Sequence, residues 1–453
     1  MRILALLVAA SLFAPARADL FTAQLAYQMG DYERASKDYR ELAELGQPQA
    51  QFNLAIMYAK GQGVRQSELN AYAWATLAAE GGLAQGQALA EELRPQLAPG
   101  SEKIADDIRA PFSRAALDAR LMPKLDKDQD AAERARCHLM KAGRLVYPRD
   151  AQRAGIQGNV VVEMTVLADG SVRNPRIAYA EPVGVFEPAA RGLALRLRWQ
   201  SAEAQSKPVH CQMMFRFALQ GTNRADYPDL ESFVSETRNK AERGDTSSEL
   251  MYGLLLAGFP QLGRSPVDAV PWFLKAAQGG SRTGQYMVGT SLLFGMGCRC
   301  EENKGEVWLR KAAEADQPNA QVTLAAYALR GTPDTANIRR AAVWLERAAA
   351  HGDHDGMYYL AALLAATPVE GLRDPKRALS LLEKVWKDVS DNPTAFEIRA
   401  AAQAASGAFA DALRSERRAI ATAENLKWDL GPLNERLAHY GSQQPWYGEL
   451  LAL

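Results

Sequence analysis

Three tryptophans, Trp272, Trp308 and Trp344, recur at an interval of 36 residues, and a fourth, Trp74, heads the same kind of phrase near the other end of the chain. The phrases read WATLAAEGG from 74, WFLKAAQGG from 272, WLRKAAEAD from 308 and WLERAAAHG from 344. A small residue stands 24 positions before each tryptophan (Ala50, Ser248, Gly284, Ala320), and another follows it five residues later (Ala55, Gly253, Gly289, Ala325). One period with two fixed internal offsets marks a helical repeat array. Small residues let crossing helices approach closely, and an aromatic at the facing position is expected to fill the wedge between helix pairs. Such a hairpin cannot bury its apolar face alone, so stacked neighbours complete the core.

The segment AQFNLAIMYAKGQGVRQSELNAYAWATLAAEGG, residues 50–82, is specific enough to name a relative. It resembles the Sel-like repeat of the tetratricopeptide superfamily. The likeness is carried by Ala55, Tyr58, Gly61, Gly63, Val64, Ala71, Trp74, Ala78, Ala79 and Gly81. Later units depart from the pattern: GMGCRC (295–300) puts cysteines in the Gly-Val turn, and RGTPDT (330–335) keeps one glycine. GDYERA at 30–35 and GAFADA at 407–412 read as plain tetratricopeptide-like helices, with RALSLLEKVW (377–386) a degenerate unit. The resemblance implies a mainly α solenoid whose curved inner surface takes an extended ligand.

Between the arrays the helical rhythm stops. GNVVVEMTVLADGSVRNPRIAYA sets β-branched runs on either side of Ala-Asp-Gly-Ser, the pattern of two strands joined by a tight turn. FEPAARGLALRLRW (186–199) follows with helical spacing, and VHCQMMFRFAL (209–219) closes the region as a last strand. The order helix–strand–strand–helix–strand is that of an α+β unit with one helical layer on an antiparallel sheet. This segment resembles the C-terminal domain of TonB through Tyr147, Pro148, Ala151, Gly158, Val160 to Val166, Asp169, Gly170, Phe186 to Trp199 and Val209 to Leu219. The resemblance implies that the last strand, with Val209, Gln212, Met214 and Arg216, offers an edge to which an extended peptide can add. The other reading of that strand is structural: it packs the domain helix, or a neighbouring repeat covers it.

The resulting division is a leader at 1–18, Sel-like or tetratricopeptide-like repeats at 19–94, a polar helical linker at 95–136, the TonB-like domain at 137–221 and a second repeat array at 222–445. The leader reading rests on MRILALLVAASLFAPARA, a short apolar stretch followed by Ala16 and Ala18 as a cleavage signal. Cleavage there yields an exported, periplasmic chain with no transmembrane anchor. TonB proper keeps an inner-membrane helix and a long proline-rich spacer, and this chain has neither. In an oxidising compartment the four cysteines can pair, with Cys137–Cys211 and Cys298–Cys300 the favoured scheme. A 298–300 bridge closes a very small strained ring, so an unpaired or easily reduced state stands beside it.

Overall charge is balanced, 53 basic against 53 acidic residues, which gives no reason to expect nucleic acid. Residues 137–220, however, hold eleven Lys/Arg and six Asp/Glu, a net of +5. The rest is correspondingly acidic, so either the modules dock on each other or an anionic envelope partner binds. No nucleophile elbow, zinc helix or phosphate loop is present, and neither enzyme activity nor a cofactor is expected. His351-Gly-Asp-His354-Asp has close metal-ligand spacing but falls where a repeat leaves its second helix, so a solvated turn is the reading. His138 and His210 each adjoin a cysteine, and a disulfide is favoured there over a zinc cluster. These readings converge on a scaffold that binds envelope proteins or peptides. A TonB-type energy-transduction accessory meeting outer-membrane receptors, and a cell-envelope hydrolase, are the alternatives.

Overall fold

The computed structural model describes residues 20–127, 139–141, 143, 145–199, 209–219, 230–258, 266–331 and 333–451. The leader at 1–18 and the residues Cys137 and His138 lie outside the described residues. The chain divides into two compact units, Met1–Met122 and Pro123–Leu453.

The first unit contains α1 (Leu20–Gln28), α2 (Tyr32–Glu44), α3 (Pro48–Lys60), α4 (Glu68–Glu80), α5 (Ala84–Leu93), α6 (Glu102–Arg109) and α7 (Arg114–Leu121). Asp31 and Ser67 cap α2 and α4 with side-chain oxygens, and Pro48 opens α3 where a backbone N–H would have no helical partner. Gly61 ends α3 in the left-handed region at φ 66°. Gly63 is also left-handed, and a Cβ there would lie 1.9 Å from the Tyr32 carbonyl oxygen. The turn therefore requires glycine for both its angle and its clearance. Ala55 and Trp74 are buried, the indole against Phe112 with ring centres 5.0 Å apart.

In the second unit the array comprises α10 (Leu230–Glu242), α11 (Thr246–Gly258), α12 (Pro266–Gln278), α13 (Arg282–Phe294), α14 (Glu302–Glu314), α15 (Pro318–Ala328), α16 (Thr335–Ala350), α17 (His354–Ala366), α18 (Pro375–Val389), α19 (Pro393–Ala405), α20 (Phe409–Asn425) and α21 (Gly431–Gly441). The small residues do mark close helix crossings. A Cβ on Gly253 would stand 2.6 Å from the Phe273 ring, one on Gly289 2.7 Å from the Leu309 side chain, and Ala325 is fully buried. In these two repeats the residue facing the glycine is the one after the tryptophan, Phe273 or Leu309, and not the indole that was expected there. Trp272 instead meets Tyr252 edge-on at 5.0 Å. Lys275, Lys311 and Arg347 lie over Trp272, Trp308 and Trp344, because three residues along a helix return to the same side.

The central domain contains β1 (Leu139–Lys141), α8 (Arg149–Arg153), β2 (Gly158–Val166), β3 (Val172–Glu181), α9 (Glu187–Arg196), β4 (Arg198–Trp199) and β5 (Val209–Phe217). The expected helix–strand–strand–helix–strand order is present, with two short strands, β1 and β4, added beside it. The main sheet is antiparallel in the order β3–β2–β5. Asp169 accepts the Ser171 N–H at 2.8 Å and Gly170 takes φ 75°, which closes the β2–β3 turn. α9 packs on one sheet face, where Phe186 stacks on Phe217 at 4.3 Å and Tyr147 meets both rings edge-on. Pro148 precedes α8, and Gly158 is required because a Cβ there would lie 2.2 Å from the Glu181 carbonyl oxygen. Trp199 is buried in the same core.

Candidate interaction surface

The sheet has two faces, and the sequence pattern supplied a helical layer for only one. Alternation along β5 directs Val209, Cys211, Phe215 and Phe217 into the α9 core. His210, Gln212, Met214 and Arg216 consequently lie on the other face, toward the array. His210 stacks on Phe294 of α13 with ring centres 3.9 Å apart. Met214 abuts Gly258 at the end of α11, and the Arg216 guanidinium lies 5.7 Å from the Phe233 ring of α10. All four residues expected on the edge strand lie on β5, the Val209 side chain facing the domain core and those of Gln212, Met214 and Arg216 the opposite face.

The joint between sheet and array is polar and buried. Glu163 of β2 is fully buried and accepts from the Tyr286 hydroxyl of α13 and from Arg176 Nη2 of β3 at 3.3 Å. Arg176 Nη1 donates to Thr323 of α15 at 2.9 Å. Arg191 of α9 donates through Nη1 to Asp355 Oδ1 of α17 at 2.5 Å and to the Pro175 carbonyl at 2.9 Å. The Arg173 guanidinium lies 3.1 Å from the Trp428 ring centre. Three arginines of the basic central segment, Arg173, Arg176 and Arg191, thus face the array, while Arg149, Arg153 and Arg196 are exposed. Burial pushes the Glu163 carboxyl upward, with Arg176 and the Tyr286 hydrogen bond opposing. Burial first, then Arg176 and Arg330, pushes His210 down to about 3. Its imidazole is neutral, and its 3.9 Å approach to Glu163 is not an ion pair.

The two end strands of the sheet differ. β5 pairs with β2 in unbroken register from Gly158↔Phe217 to Val166↔Val209. β3 pairs with the same strand through two register shifts, at Val161/Val162 and at Glu163/Thr165. The second coincides with Asn174, at φ 46°, and Pro175. Two outward backbone groups of β3 are taken by the array. The Ile177 N–H donates to Asp355 Oδ2 at 3.3 Å, and Asn319 Nδ2 of α15 donates to the Ala178 carbonyl at 3.2 Å. Bulges, a proline and side-chain caps are the devices that close a sheet edge. On the β5 side, no further strand follows among the described residues.

The remaining candidates resolve into structure. In the histidine-rich turn, Asp353 caps α17, His354 contacts Asp388, and His351 lies 2.9 Å from the Arg347 carbonyl. Among the described residues no three His, Cys, Asp or Glu side chains are grouped to hold a metal ion. Cys211 is disulfide-bonded. Cys137, its expected partner, lies outside the described residues. No disulfide joins Cys298 and Cys300, both of which are thiols. Gly295 and Gly297 take the same left-handed angles as Gly61 and Gly63, which puts Cys298 at the position of Val64. The cysteine fills an apolar repeat slot, fully buried, and burial followed by Glu301 pushes its thiol up to about 12. That alignment of glycines was available in the sequence. Beside Arg191 and Asp355 there is a cavity of about 10 Å³, room for one water.

Profiles of known families match these same regions. The Sel1 repeat matches at residues 48–83, 247–281, 283–317, 318–353 and 354–384, and the Gram-negative bacterial TonB protein C-terminal family matches at 143–219. This is a Sel1-repeat protein with a TonB C-terminal domain at its centre. Both families are interaction modules. A crystal structure of a protective antigen from uropathogenic Escherichia coli strains displaying an SLR fold is similar at 18% identity, covering 93% of this chain and 79% of that one, with a TM-score of 0.37. A Sel1 repeat protein from Oxalobacter formigenes is similar at 17% identity, covering 82% of this chain and 99% of that one, with a TM-score of 0.32. No curated protein matches. Among the described residues of this Sel1-repeat protein, no helix is long and apolar enough to cross a membrane.

Proposed function

We propose that the chain is a periplasmic interaction scaffold in which the C-terminal Sel1 array holds the TonB C-terminal domain and leaves β5 to accept an extended segment of an envelope protein. The asymmetry of the two sheet edges supports this reading above all. β5 runs in unbroken register for nine residues against β2, whereas β3 is bulged and has its Ile177 N–H and Ala178 carbonyl bonded to the array. Added strands draw affinity from main-chain hydrogen bonds along a regular edge and selectivity from alternate side chains. The chain then acts by gripping polypeptide, with the repeats fixing the domain in one orientation.

Site-specific photo-crosslinking in the periplasm tests this. A crosslinking residue at Gln212 or at Met213, on opposite faces of β5, should capture envelope proteins that one at the exposed Val183 does not. Equal capture at all three sites, or none at either β5 site in a folded chain, would remove β5 from the function.

A further inference from the structure

The sealing of β3 has a consequence independent of what β5 binds. Asp355 and Asn319 belong to successive repeats, and together they give the strand one acceptor and one donor, the groups a neighbouring strand would otherwise supply. Asp355 is shared: its second oxygen takes Arg191, so one carboxylate ties α17 to both β3 and α9. Ala178, the residue that Asn319 caps, sits at the register shift between Tyr179 and Ile177. A bulge that locally disrupts the ladder can turn a backbone group away from it.

We propose that α15 and α17 act as an intramolecular guard, withholding β3 from pairing with a second copy of the chain. The occupant follows from the strand's own sequence. Laid antiparallel on itself about Ile177, β3 sets Arg173 opposite Glu181 and Arg176 opposite Ala178, which places opposite charges across from each other and no like charges. Like edges on identical chains are the usual hazard of an unprotected strand. The repeat array thereby keeps the domain from self-association while presenting it.

The test uses the full chain. A triple variant, Asn319→Ala with Arg191→Met and Asp355→Ala, removes both caps without leaving a buried charge unpaired. The Ile177 amide should exchange about tenfold faster than in the parent. Light scattering should show a concentration-dependent rise in mass toward a doubling over the parent. Adding Ile177→Pro, which removes the amide, should abolish that rise. Faster exchange with parental mass at every concentration overturns the proposal, as does a mass rise that Ile177→Pro leaves intact. If the triple variant fails to fold, Asn319→Ala alone should still raise exchange at 177–179 with a smaller mass shift. A folded Asn319→Ala chain with unchanged exchange would equally refute the guard.

Discussion

β3 and β5 flank the same central strand, share one hydrophobic core and differ in almost everything that governs pairing. β3 carries two register shifts, Pro175 and side-chain caps from two repeats; β5 carries an unbroken ladder. Their array-facing side chains differ as well. β3 contributes charged groups satisfied by Glu163, Thr323 and Trp428, whereas β5 contributes His210 and Met214, which pack against Phe294 and Gly258. A helical solenoid can thus treat one sheet in two ways, bonding to backbone groups of one strand and packing rings and small residues against side chains of the other. Edge accessibility here is a property of the whole unit and not of the domain by itself.

The largest effect should come from breaking the polar side. Asp355→Ala leaves Arg191 buried without its carboxylate and should cost about 3–5 kcal/mol of stability in denaturant unfolding. Most of that should return in the Arg191→Met, Asp355→Ala double variant. A loss below about 1 kcal/mol would mean that β3 is not held as described. Tyr286→Phe, which deprives buried Glu163 of a donor, should cost about 2 kcal/mol by the same measurement. On the contact side, Gly258→Ala places a Cβ 2.5 Å from that of Met214 and should cost about 1 kcal/mol, raising amide exchange in β5 and not in β3. Exchange rising equally in both strands would break the distinction between them.

The smallest effect lies away from both edges and serves as a control. Glu416 of α20 is buried with Arg436 and Glu397, and burial first, then the Glu397 charge, raises its carboxyl to about 8. A carboxyl raised in the folded state contributes stability that is fully present below its unfolded pKa and is lost as pH rises through about 8. Thermal stability should therefore decline modestly between pH 5 and pH 8. Glu416→Gln should flatten the slope while leaving amide exchange in β3 and β5 at pH 7 unchanged. An undiminished slope in the variant would assign the decline to another group.

The array and the domain order were legible because both are periodic: the 36-residue spacing of Trp272, Trp308 and Trp344 and the strand–turn–strand run around Asp169-Gly170 repeat locally. The joint was not legible, since its decisive pair, Arg191 and Asp355, is separated by 164 positions and no local pattern links them. Asp355 even stood in a turn that read as solvated. Its neighbours His351 and His354 are exposed as that reading requires, but one helical step inward the carboxylate is buried. The charge imbalance of the central segment pointed toward docking without naming its partners. The bulges of β3 were hidden for a different reason: a register shift depends on what lies across the strand, and Asn174-Pro175 was the one local sign of it.

Residue-resolved amide exchange of the full chain compares the two end strands most directly. The Ile177 amide, bonded to Asp355, should exchange slowly, and alternate amides along β5, those directed away from β2, should exchange at rates typical of an open edge. Protection along β5 equal to that of Ile177 would contradict the claim that the array seals one edge and leaves the other to a partner.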